Sequence, residues 1–498
     1  MSYLGLDIGT GGCKAVVFDR KGKELASSFR EYPVLHPHPG WAEINPDEVI
    51  EKCFEVISEV NEAVSDPVIS ISISSQGEAF APVGKNGETL GNAMVSSDSR
   101  ARDITTSWSE KFGVKKIYYI TGHTPHPLFT LFKILWIKEN QPDVWTDTMY
   151  FLCFEDLFHY KVGLEPRISW SMAGRTMMFD VINHKWNTEI LEAVGLSHKK
   201  LAKPAAAGEI TGTIGPEMGK KLGFKNPVIL VAGGHDQPCA ALGAGVIEPG
   251  MCMYATGTVE CFCPLLEKPS FSDELQRNNL CCYDYTIKGK YTTVAYCLTG
   301  GNILRWMRDE LGQNEIARAI ESGQNPYTLL LDDMPLTPTD LIVLPYFSAT
   351  GTPYFDTRAR GAILGLQLTT TRGEITKALL EGVALEMKLN LEMMEKSGMR
   401  INTFIATGGG TRNKTWTQLK ADVLNKKIIV HNIREAGCYG AALLAISAVE
   451  RIGVEQLLVE NKTDDEIFFP DQENAKFYDN KFKTYKQLYP VLKQFWKI

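Results

Sequence analysis

An acid at the end of a buried strand is the first place to look for chemistry in this chain. Pro227-Val-Ile-Leu-Val-Ala232 is an apolar run of strand length, and Gly233-Gly234-His235-Asp236-Gln237 follows it. The two glycines are expected to turn the chain tightly. A carboxylate at the carboxyl end of a strand sits where open α/β sheets place their ligands. Asp236 is therefore the candidate catalytic base. A second constellation, Asp7-Ile-Gly9-Thr10-Gly-Gly-Cys-Lys14, places a glycine turn between two strand-like runs. It lacks the Gly-x-Gly-x-x-Gly dinucleotide pattern and the Gly-Lys-Ser/Thr of a P-loop, and it leads into a strand, not a helix. Turn amides of such a hairpin can still converge on a phosphate. Thr10 adds a hydroxyl and Lys14 a cation, while Asp7 could hold a hydrated Mg²⁺. Thr256-Gly257-Thr258 could bring more amides and hydroxyls to the same nucleotide. Gly300-Gly301 and Gly408-Gly409-Gly410 would let a flat group such as adenosine lie against bare backbone.

These residues need elements to position them. Tyr3 to Asp19 reads as strand, glycine turn, strand. Pro46 to about Val64 reads as a helix with Asn45 as its N-cap, and Val68 to Ser74 as a strand running into Ser75-Gln76-Gly77-Glu78. Thr130 to Asn140 has helical apolar spacing. Met251 to Ala255 restarts the strand theme, Thr403 to Thr407 is a strand before the triple glycine, and Trp416 to Leu424 lies in the helix after it. Gly437-Cys-Tyr-Gly440 opens a small-residue helix from Ala441 to Val449. A Gly-Thr turn near the start of each half suggests an internal duplication, with two α/β lobes flanking a cleft. The boundary falls near Leu242 to Gly250, giving domains 1–245 and 246–498.

At 498 residues the chain is too long for one core. A net charge of −7 with dispersed acids argues against nucleic-acid and anionic-membrane surfaces. No apolar run approaches the roughly 20 residues of a membrane helix, and no secretory signal is visible, so a cytoplasmic location is expected. The 11 cysteines show no paired Cys-x-x-Cys units and read as buried free thiols.

Taken together, the motifs resemble the FGGY family of carbohydrate kinases, within the sugar kinase/actin/heat-shock ATPase superfamily. Asp7-Ile-Gly-Thr with Lys14 is similar to the family's first phosphate hairpin. Gly361-Ala-Ile-Leu-Gly-Leu366, then Glu374-Ile375, Ala378 and Leu379-Leu-Glu381, fit its C-terminal signature, and Lys133 to Asn140 fits most of the N-terminal one. Gly40-Trp-Ala-Glu43 before a helix is also typical. The resemblance implies two ribonuclease H-like (actin-like ATPase) lobes, ATP and Mg²⁺, and a small-molecule sugar or polyol acceptor. Asp236 would be the general base, and Asp7 with Asp236 the Mg²⁺ site. Gly9, Thr10, Lys14, Gly257 and Thr258 would hold phosphates, and Gly300, Gly301, Gly409, Gly410 and Asn413 would line the adenosine pocket.

Gln76, Glu78, Asp98, Arg100, Asp236 and Gln237 fall in or near substrate-contacting stretches of the family. Glycerol kinases carry Arg-Glu where this chain has Gly77-Glu78, and xylulose kinases carry Met-His. The tryptophan usual before Asp-x-Arg is Ser96 here. The reading leans to a ketopentose of the xylulose type. A polyol of the erythritol or glycerol type, a deoxy-ketose such as fuculose, and a signalling metabolite stay open. So do two non-enzyme alternatives, an actin- or chaperone-like ATPase and a sugar sensor. His123 and His126 read as satisfied loop histidines and Arg175 as support near the cleft, while a homodimer is an expectation by analogy with the family.

Overall fold

The computed structural model describes residues 1–461 and 464–496. The expected hairpin opens the chain: β1 (Ser2–Ile8) pairs antiparallel with β2 (Gly12–Phe18), and β3 (Glu24–Glu31) adds to β2. Helix α1 (Pro46–Ala63) follows. The Asn45 side chain accepts from the Asp47 and Glu48 amides and Pro46 takes the first turn, as the sequence indicates. Strand β4 (Val68–Ser75) lies parallel to β1. Helices α2 (Thr130–Asn140) and α3 (Phe154–Lys161) precede β5 (Ile210–Ile214) and β6 (Val228–His235), which complete a sheet of order β5-β6-β4-β1-β2-β3.

Helix α4 (Asp236–Gly243) leads to a second sheet. Its strands are β7 (Met251–Thr256), β8 (Glu260–Pro264), β9 (Ala295–Cys297), β10 (Thr403–Thr407), β11 (Lys427–His431) and β12 (Asp465–Phe468), in the order β9-β8-β7-β10-β11-β12. In both sheets a three-stranded antiparallel meander is extended by two parallel strands and closed by an antiparallel edge. The duplication suggested by the two Gly-Thr turns is thus present in the pairing order.

The longer helices of the second half include α5 (Arg372–Lys396), α6 (Lys414–Leu424), α7 (Ala436–Glu450) and α8 (Gln472–Leu492). Helix α7 joins the halves. It packs on β1 and β4 of the first sheet and crosses α4. Absent side chains permit this approach. A Cβ at Gly440 would sit 1.9 Å from the Cys239 carbonyl oxygen, and one at Gly5 would sit 1.8 Å from that of Cys438. Helix α7 begins at Ala436 and not at Ala441 as the sequence suggested, so Gly437 and Gly440 lie within it. One apolar cluster accordingly draws on both halves, with Val16, Val231 and Leu242 against Met253, Ile405 and Leu443.

The reading of Gly233-Gly234 as a turn is corrected. Strand β6 continues through both glycines to His235. Its pairing with β4 shifts between Val231 and Gly234, a bulge of the kind found beside functional sites. A Cβ at Gly233 would lie 1.8 Å from the Ile73 carbonyl oxygen, so close backbone approach, not a turn, demands glycine. The Gly233 amide donates to Glu155 Oε1 on α3 at 2.9 Å instead. All 11 cysteines are free and buried, as expected. Among the described residues no helix is long and apolar enough to cross a membrane.

Candidate functional site

The first sheet brings its acids together. Parallel register sets Asp7 of β1 opposite Ser74 of β4, and Gly234 of β6 pairs with Ser74 from the other side. Ser74 Oγ donates to Asp7 Oδ1 at 2.6 Å. Burial raises the Asp7 pKa, Ser74 opposes the shift, and Glu435 adds to it. Asp236 follows β6 directly as the first residue of α4, where the helix N-terminus faces it. Burial, with Asp7 and Glu78 nearby, pushes its carboxyl up to about 7. Asp236 Oδ1 is buried without a hydrogen-bond partner, although His235 Nε2 lies 3.2 Å away. Gln237 Oε1 is likewise buried and unpartnered.

The glycine hairpin is held from below. Gly9 N donates to Gly12 O at 2.9 Å to close the turn, and Tyr32 Oη donates to Gly9 O at 2.5 Å. Thr10 Oγ1 donates to Gln76 Oε1 at 3.0 Å, and Gln76 Nε2 donates to Gly9 O at 2.9 Å. Gln76 therefore clamps the hairpin with both ends of its amide. Lys14 Nζ pairs at 2.7 Å with Glu435, which immediately precedes α7.

Across the cleft, a cavity of about 550 Å³ is lined by Gly257, Thr258, Gly301, Gly409, Gly410 and Asn413, with Trp416 as an aromatic wall. Gly300 does not line it: the residue is buried, and a Cβ there would meet Val259 C at 2.8 Å. Close packing accounts for that glycine. Asn413 Oδ1 accepts from Trp416 N at 2.8 Å and so caps α6. Behind the wall, buried Lys420 reaches Thr256 Oγ1 at 2.8 Å and Glu260 at 2.5 Å, and sits 4.2 Å above the Trp416 ring. A larger cavity of about 1000 Å³ shares Gly409 and extends to Glu435.

A second buried polar cluster is built around Glu78. Its carboxylate is buried and takes Nε of Arg175 at 2.5 Å, with Arg175 Nη2 on the same oxygen. Arg175 Nη1 donates to His123 Nε2 at 3.1 Å, and His123 Nδ1 donates to Thr121 O at 2.7 Å. Burial and Arg175 hold His123 down to about 3. Glu78 adopts φ 64°, a left-handed conformation that costs a non-glycine residue about 1–2 kcal/mol. Thr130 Oγ1 holds it by donating to its carbonyl at 2.9 Å. Gly77 leaves the space these side chains need, since a Cβ there would lie 3.0 Å from His235 Nε2 and 3.3 Å from Arg175 Cγ. His235 Nδ1 lies 2.9 Å from the Tyr283 hydroxyl, so a residue of the second half reaches the neighbour of Asp236.

Asp98 and Arg100 are paired with each other. Asp98 accepts from Arg100 through both oxygens and from Ala42 N at 2.8 Å, leaving neither oxygen unpartnered. Arg100 stacks 3.6 Å over Trp41 and reaches Glu43 at 2.6 Å. The pair thereby holds the Trp41 segment in place.

Residues 2–243 match the N-terminal domain of the FGGY family of carbohydrate kinases, and residues 252–449 match its C-terminal domain. The chain belongs to this family. It is a sugar phosphotransferase. A xylulose kinase of Bacillus subtilis (strain 168) is 25% identical over 502 residues, covering 98% of this chain and 97% of that protein. A gluconokinase of the same organism is 26% identical over 454 residues, covering 90% and 88%. The solved structure of a ligand-bound xylulose kinase from Lactobacillus acidophilus aligns with a TM-score of 0.90 at 23% identity, covering 99% of this chain and 98% of that one.

The kinase's donor set suits Mg²⁺ without a closed protein cage. Among the described residues no cluster of three or more His, Cys, Asp or Glu side chains is arranged to hold a metal. Mg²⁺ typically takes one or two carboxylates and completes its shell with water and phosphate oxygens. Half-buried Asp7 and the unpartnered Asp236 Oδ1 fit that chemistry. The kinase also carries functional candidates that sequence reasoning underweighted: Arg175, His123 and Tyr283. Their partners lie 97, 52 and 48 residues away along the chain, and no local spacing reports such pairings.

Proposed function

We propose that the kinase transfers the γ-phosphate of ATP to a primary hydroxyl of a small sugar, a ketopentose of the xylulose type. The Asp236 carboxylate carries this reading: it directly follows a strand at the N-terminus of α4, has an oxygen buried without a partner, and has its pKa raised to about 7, where a general base works best. In this reading Asp236 takes the hydroxyl proton as the sugar oxygen attacks the γ-phosphorus. The bond from that phosphorus to the β,γ-bridging oxygen breaks, and ADP leaves with the electron pair. Asp7 and Asp236 would hold Mg²⁺, which neutralises charge on the transferring phosphoryl group. The Gly9–Thr10 amides, Lys14 and Thr258 hold phosphates, and Gly301, Gly409, Gly410 and Asn413 bound the nucleoside. We assign the sugar and the base to residues 1–245 and the nucleoside to residues 246–498. Closure of the lobes would keep water from competing for the phosphoryl group.

The xylulose kinase relative supports the ketopentose over the polyol and deoxy-ketose alternatives. The test is ADP release from Mg-ATP against ketopentoses, deoxy-ketoses, tetritols, glycerol and sugar acids. A ketopentose raising turnover far above the background ATPase rate is the expected result. A different sugar doing so would replace the substrate and keep the chemistry, and a flat panel with intact ATP binding would favour a sensor.

A further inference from the structure

We infer that the Glu78–Arg175 pair sets the acceptor pocket for an uncharged polyhydroxyl chain and rejects sugar acids. This deepens the kinase reading and rests on it. Xylulose kinases and gluconokinases match this chain at nearly the same identity, 25% and 26%, so overall similarity does not choose between a neutral ketose and a carboxylate-bearing sugar. The charges around Asp236 do choose. Asp7 on β1 and Asp236 after β6 flank β4, and Glu78 follows the end of β4, so three acids gather at one end of the sheet. His123 faces the same region, and burial with Arg175 holds it down to about 3, hence uncharged. Lys133 is fully buried, donates to Met94 O at 3.1 Å, and is held down to about 8 by burial. Arg175 is the buried guanidinium of this cluster, and Glu78 already neutralises it.

A sugar acid would bring a further negative charge into this cluster, whose buried guanidinium Glu78 already neutralises. Like charges in a desolvated site repel, and such a mismatch is an established way to exclude a competitor. The same pair suits hydroxyls. A guanidinium has five N–H donors, and those on Nε and Nη2 that reach Glu78, with one on Nη1 that reaches His123, leave donors unused. Both contacts to Glu78 fall on Oε1, so Oε2 keeps its acceptor capacity. An unused acceptor beside unused donors matches adjacent hydroxyls, each of which donates once and accepts once.

The test compares wild type, Glu78→Gln and Arg175→Met with the best uncharged sugar and with gluconate, by kcat/KM and by calorimetric binding in the presence of a non-hydrolysable ATP analogue. Wild type is expected to favour the uncharged sugar by at least about 100-fold. Glu78→Gln, which frees the Arg175 charge, is expected to narrow that ratio at least about tenfold by gaining on gluconate. Arg175→Met, which leaves Glu78 unpaired, should lose on the uncharged sugar without gaining on gluconate. A wild-type preference for gluconate would overturn the inference, as would a ratio unchanged by Glu78→Gln in protein that melts normally. Absence of turnover with every sugar would count against the kinase reading alone, because calorimetry still ranks the two ligands.

Discussion

At pH 6 the kinase will run at about a tenth of its plateau kcat/KM, and at pH 5 at about a hundredth, if Asp236 is the base. Burial and the nearby Asp7 and Glu78 push its carboxyl up to about 7. A protonated carboxyl cannot accept the sugar's proton, so only the ionised fraction acts. That fraction is about one half at pH 7 and falls tenfold per unit below it. An unperturbed aspartate, ionising near 3.9, would leave the rate flat over this range. The assay is coupled ADP release from pH 5 to 9, with kcat/KM reporting the free enzyme and kcat the loaded complex. Bound Mg²⁺ favours the carboxylate, so the limb in kcat should lie at lower pH. Glu78→Gln removes a like charge and should move the limb down as well. A limb near pH 4 in kcat/KM would refute the electrostatic argument. A limb near 7 that persists in the residual activity of Asp236→Asn would assign it to another group.

Two further expectations concern the frame around the site. Lys420→Met leaves Glu260 buried without its cation behind Thr256 and Trp416, and should cost about 3–5 kcal/mol in urea unfolding while raising KM for ATP more than KM for the sugar. Gly440→Ala drives a Cβ to within 1.9 Å of the Cys239 carbonyl and should cost about 3 kcal/mol or more, whereas Gly409→Ala meets nothing within 4 Å and should leave stability intact while raising KM for ATP.

Local patterns made much of this legible. The hairpin of β1 and β2, the Asn45 cap and the strand before Asp236 are readable because short-range periodicity and capping chemistry fix them. The glycines were harder. Gly233, Gly300 and Gly440 exist because another backbone passes within a carbon's width, and a sequence cannot show which segment that is. The same limit hid the site's long-range pairs. Glu78 was visible as an acid after a strand, but Arg175, which neutralises it, sits 97 residues on. Asp98 and Arg100 were visible as a charged pair, but not the folding of the loop bearing Ala42 and Trp41 onto them. Similarly, nothing in the spacing of α7 shows that it crosses to the first sheet.

The most direct test of the central claim is Asp236→Asn, read by turnover, ligand binding and melting together. Asparagine removes a carboxylate whose burial disfavours ionisation, so the variant should melt no lower than wild type at pH 8. The account predicts ATP and sugar affinities within a few-fold of wild type and a loss of at least about 100-fold in kcat. Turnover near the wild-type rate in a normally melting, normally binding variant would contradict it.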